Sequence, residues 1–134
     1  MLKKHVYTIG FISWMVFITL LSLFSFPEDT IDLGVRIPNI DKLVHFGFYF
    51  MMVILGCFFL REIANHRIGL VKAILSMTVF AIVYGMILEV LQHTITTERS
   101  GDIWDFLANS AGALVGGILI KWVFYKKRRL KWKN

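Results

Sequence analysis

Cysteine occurs once in the 134 residues, at Cys57, so no disulfide can close within the chain and a thiolate zinc site lacks partners. Charge is scarce as well. Asp, Glu, Lys and Arg make up 18% of the chain, against about 25% in ordinary soluble domains. With 57% hydrophobic residues and a mean hydropathy of +0.65, the composition excludes intrinsic disorder. It departs from soluble averages in the direction that a lipid environment demands. Internal repeats and low-complexity segments are absent too, and the length fits one domain, residues 1–134.

What is present falls into four apolar blocks, at about 6–26, 43–60, 70–95 and 103–124, followed by a basic tail over 125–134. The first is 21 residues without a formal charge, enough at 1.5 Å per residue to cross a hydrocarbon core of roughly 30 Å. None of the blocks alternates in polarity, so they read as helices and not as barrel strands. A soluble bundle would need a polar stripe along each helix. Between Ile9 and Phe24 only Gly10, Ser13, Thr19 and Ser22 break the apolar run, and they cannot build a water-facing side. A cleaved signal peptide is disfavoured, since the run is too long and Ser25-Phe26-Pro27-Glu28 has no small-x-small site. The fold expected is all-α, an integral membrane four-helix bundle.

Lys3 and Lys4, the connection with Arg61, Arg67 and Lys72, and the tail from Lys121 onward hold twelve of the fifteen basic residues on one side. The positive-inside rule then makes both termini cytoplasmic, as four spans allow. The net charge of +6 is thus a topology and headgroup signal. No nucleic-acid partner is expected, because the tail's bases flank a span and include Trp132, a residue type that anchors at the interface. Lys72 and Lys121 lie near helix ends, where they snorkel. Asn39 or Asp41 is expected to cap the second helix, and Ser100-Gly101-Asp102 offers a cap for the fourth.

An ionisable group within a span costs about 2.5–3.5 kcal/mol on insertion scales, so each needs a reason. Asp41, Lys42, His45 and Tyr49 lie at the outer end of the second helix, and the 42, 45, 49 spacing puts three of them on one face. Glu89 and Gln92 share a face of the third helix, with Gly85 one turn below; Asp102, Asp105 and Asn109 share a face of the fourth. Arg99 lies in the short loop between the last two groups. Three helices therefore carry polar faces at one depth, and if they face inward they enclose a polar chamber on the non-cytoplasmic side. Gly112 and Gly116, a G-x-x-x-G pair, continue the face of Asp105 and Asn109 and mark it for close packing, within the chain or in a dimer. A purely structural reading pairs Arg99 with Asp102, or Lys42 with Glu89; fewer charges would suffice for that.

These residues resemble the VanZ-like family of small bacterial membrane proteins. The pattern is Asp41-Lys42-x-x-His45-x-x-x-Tyr49, Glu89-x-x-Gln92, then Arg99-x-x-Asp102-x-x-Asp105-x-x-x-Asn109-x-x-Gly112-x-x-x-Gly116, from position 41 to 116. The resemblance implies a multi-pass protein of the bacterial inner or plasma membrane. The family takes its name from a member that lowers sensitivity to the glycopeptide teicoplanin, and the resemblance supplies no settled activity.

Three functions stay open on the residues alone. In the first, the chamber binds a lipid-linked or amphiphilic ligand, with Asp41, Lys42, Tyr49, Gln92, Arg99, Asp102 and Asn109 as contacts; Lys42 and Arg99 suit phosphate or carboxylate. In the second, a membrane hydrolase or transferase uses His45, Glu89 and Asp105 as bases, or as ligands of a divalent cation together with Asp102. No H-E-x-x-H spacing and no nearby Ser or Cys nucleophile accompanies them. In the third, a coupled transporter, a path past the membrane centre would have only Ser76, Thr78 and Tyr84 to use.

Overall fold

The computed structural model describes residues 4–24, 39–95, 103–126 and Trp132. It contains four helices: α1 (Val6–Leu23), α2 (Ile40–Ile63), α3 (Leu70–Ile95) and α4 (Ile103–Lys126). All four are long and apolar enough to cross a membrane. The third block coincides with its helix. α2 extends three residues beyond its apolar run at each end, because backbone hydrogen bonding continues into the polar interfacial turns that hydropathy does not mark. α1 stops at Leu23, where Phe24 turns extended (φ −88°, ψ 114°).

Contacts between helices fix their directions. Phe11 stacks on Phe59 (4.8 Å between centroids) and Tyr7 on Phe58 (5.0 Å), so α1 and α2 run antiparallel. The Trp14 indole, nearer the middle of α1, donates to the Phe48 carbonyl at 3.0 Å. Gly56 lies against Met77 and Gly85 against Tyr49, so α3 runs antiparallel to α2. α4 turns back again beside α2, which it parallels. The helices thus alternate up and down.

α2 and α4 form the closest pair. The cause is the glycine face of α4. A Cβ at Gly112 would collide with the Phe46 carbonyl, and one at Gly116 would stand 2.7 Å from the Phe50 oxygen. The G-x-x-x-G pair therefore packs inside the chain, backbone to backbone. Around the outside the bundle is apolar: Ile12, Val16, Leu75, Val79, Leu114 and Ile118 are all more than half exposed. The interior includes His45, Gln92 and Asn109 among its buried residues. That inversion of the soluble pattern suits a lipid solvent.

At the end where α1 begins, polar groups serve the backbone. Glu62 accepts from the Tyr7 amide (3.0 Å), the Thr8 amide (3.1 Å) and the Thr8 hydroxyl (2.6 Å), covering the open first turn of α1. α2 ends in a tight reversal with Asn65 and His66 both at positive φ (48° and 63°), closed by the His66 amide on the Arg61 carbonyl. Trp132 differs from the expectation of an interfacial anchor. It is buried, its indole donates to the Ile68 carbonyl (2.9 Å), and Arg61 both donates to its carbonyl and lies over its ring. Cys57 is fully buried in the core.

Candidate functional site

The other end of the bundle joins the start of α2, the end of α3 and the start of α4. Asn39 occupies the N-cap of α2, but in the left-handed region (φ 63°) and without a side-chain cap bond, so the capping expected there is not made. Asp41 lies in the first turn, where a carboxylate meets the positive end of the helix dipole. Its neighbour Lys42 places Nζ 3.7 Å from Asp105 Oδ1 on α4. The lysine thus pairs across to α4 and not with Glu89.

One turn further in stands His45, with a side chain only 9% exposed. Its Nδ1 lies 3.0 Å from Asn109 Oδ1 and 3.5 Å from Glu89 Oε1. Asn109 Nδ2 in turn donates to Glu89 Oε1 at 3.3 Å. That donation assigns the Asn109 oxygen to face the imidazole, so Nδ1 carries the hydrogen it donates. The other ring nitrogen, Nε2, points to Asp41 with 3.7 Å to Oδ1. Asn109 is a positioning residue, joining three helices through one amide.

Below this layer Tyr49 is buried against α3, where Gly85 makes room for it. A Cβ at Gly85 would stand 3.0 Å from the Tyr49 ring and 3.3 Å from Asn109 Nδ2. Lys42, His45 and Tyr49 therefore do share one inward face. Gln92 is turned towards α1, its Nε2 donating to the Ser22 carbonyl at 2.6 Å. Asp102 and Arg99 lie outside the described residues, as does the Ser100-Gly101-Asp102 cap.

The set that converges is thus Asp41, Lys42, His45, Glu89, Asp105 and Asn109. Asp41, His45 and Asp105 bring one ligand atom each within 4.8 Å of one another. Glu89 Oε2 is shielded from solvent and finds no hydrogen-bond partner among the described residues. Leaving such an oxygen unmatched costs free energy, about 1–3 kcal/mol or more for a charged group.

Beside the cluster, a lipid-facing groove of about 500 Å³ opens between α3 and α4. Met86, Val90, Ile103 and Phe106 supply its apolar walls, and Glu89 belongs both to it and to the polar cluster. The sequence reading missed this groove, because apolar residues on a spanning helix carry no mark of which neighbour they face. A larger cavity of about 620 Å³ lies at the opposite end, but its Arg61 and Glu62 are already bound to the fold.

A family model described as VanZ/LLP1 matches residues 5–125, nearly the whole chain. No curated protein and no solved structure matches it.

Proposed function

The chain belongs to the VanZ/LLP1 family of membrane proteins, and on that premise we propose that it binds a lipid-linked or amphiphilic ligand at the extracytoplasmic end of the bundle. The observation that carries this reading is the position of Glu89, shared by a buried polar cluster and an apolar groove open to the bilayer. An amphiphile has the same two parts. Its chain lies between α3 and α4 along Val90 and Phe106, and its phosphate or carboxylate head meets Lys42 and the His45 layer. The placement on the outer face follows from the basic residues at the opposite end. Teicoplanin sensitivity, which the resemblance connects to the family, would follow from occupancy of this site by an envelope lipid.

Binding of a fluorescent polyprenyl phosphate to the full chain in detergent, with chelator present, tests the reading. Val90 is 58% exposed at the bundle surface, so Val90→Trp fills the groove without disturbing the core. Val90→Trp and Lys42→Ala should each weaken binding by about tenfold, equivalent to 1.4 kcal/mol. Unchanged affinity in both variants overturns the proposal.

A second reading, a membrane-embedded hydrolase or transferase acting on such a lipid, has one observation in its favour. His45 has Nδ1 on Asn109 and Nε2 turned towards the Asp41 carboxylate, the orientation a general base needs. Glu89→Gln and Asp105→Asn chains that fold yet lose turnover of the lipid would support it.

A further inference from the structure

The geometry points to a divalent cation site formed by Asp41, His45 and Asp105, set across the start of α2 and α4. Its role towards the ligand's anionic oxygens rests on the proposed function; its existence rests on three separate features. The first is the donor set, one imidazole nitrogen and two carboxylates, which suits a first-row divalent ion such as Mn2+ or Zn2+.

The second is the orientation of the imidazole. With Nδ1 on Asn109, His45 Nε2 faces the Asp41 carboxylate oxygen 3.7 Å away, beyond hydrogen-bond range. The distal nitrogen of a side chain nine-tenths buried is thus turned towards a carboxylate at a spacing that a shared metal ion spans. An oxygen acceptor on the remote ring nitrogen is the usual support of a metal-bound histidine. Here Asn109 provides it, and Glu89 holds Asn109.

The third is spacing. Ligand atoms about 2.0–2.2 Å from one ion lie roughly 3–4 Å from each other. The three atoms here lie within 4.8 Å of one another, and the Asp41 side chain is half exposed. Three protein ligands leave coordination positions open, and a phosphate or carboxylate oxygen of the ligand fills one. Lys42, beside Asp105, supplies a competing positive charge at the same carboxylate.

Titration of the purified full chain with Mn2+ alone, followed by the loss of the free-ion EPR signal, tests this. One ion should bind per chain. Asp41→Asn, at a half-exposed position that leaves the core intact, should weaken binding by at least about tenfold, and Asn109→Ala by about 10–100-fold. Lys42→Ala should tighten Mn2+ binding while weakening binding of the lipid in chelator. Glu62→Gln, at the far end, should change nothing. A monodisperse wild-type chain that leaves the Mn2+ signal intact with the ion in large excess overturns the site, as does equal binding by wild type and Asp41→Asn. The lipid measurement in chelator is independent of the ion, so either idea can fall while the other stands.

Discussion

Where α1 begins, Glu62 accepts hydrogen bonds from Tyr7 and Thr8 of α1, and Arg61 donates to the Trp132 carbonyl. Where α2 begins, His45, Asn109 and Glu89 bond to one another instead, and Lys42 reaches Asp105. Both ends are polar, and each gathers about half a dozen hydrophilic side chains beside a cavity. The first end matches Glu62 to main-chain amides of α1 and Arg61 to a main-chain carbonyl. The second joins α2, α3 and α4 through the side chains of His45, Glu89 and Asn109 and keeps a buried carboxylate oxygen without a donor among the described residues. A polar group that the fold satisfies is structural; one that the fold shields and leaves unmatched has capacity for something else.

Breaking the close approach that holds the second end together should have the largest effect. Gly112→Val drives a side chain into the Phe46 backbone and should destabilise the chain by about 3 kcal/mol, the upper end for overpacking, in thermal unfolding in detergent. Gly47 has open space where a Cβ would stand, and Gly47→Ala should be neutral or gain about 0.5 kcal/mol. Asn109→Ala comes next. It removes the amide that bonds both His45 and Glu89 inside the core and should cost about 1–3 kcal/mol, with a loss of ligand binding larger than the lost stability alone explains. Equal behaviour of Asn109→Ala and a simple destabilised control would erase the distinction between the ends. The smallest effect belongs to Glu62→Gln. It should loosen the first turn of α1, read as faster amide exchange at Tyr7 and Thr8, and leave lipid binding untouched. Lipid binding that falls with Glu62→Gln would move the functional site to the wrong end of the bundle.

Much of this architecture could be read before any coordinates. Four spans follow from four runs of apolar residues, since lipid tolerates no unsatisfied backbone and few charges. Three- and four-residue spacing placed Lys42, His45 and Tyr49 on one face, and the glycine pair on the same face as Asp105 and Asn109. The pairings were not legible. Lys42 meets Asp105 and not Glu89, and Gln92 holds α1 through Ser22. Trp132 closes on Ile68 and Arg61, where a Trp beside lysines at a span end reads as a membrane anchor. Glu62, an isolated acid in a basic connection, gave no hint that it caps another helix.

Composition and periodicity decided the number of helices, their lipid-facing character and the azimuth of each polar residue on its own helix, because those are local properties of a chain in a hydrocarbon solvent. Which polar face meets which, and at what height, was decided only in the folded bundle. The register is set by Gly112 and Gly116 seating α4 on the α2 backbone, and a seam of that kind depends on atoms more than fifty residues apart in sequence. The imidazole of His45, its carboxylate neighbours and the groove beside them exist as one site because of that contact.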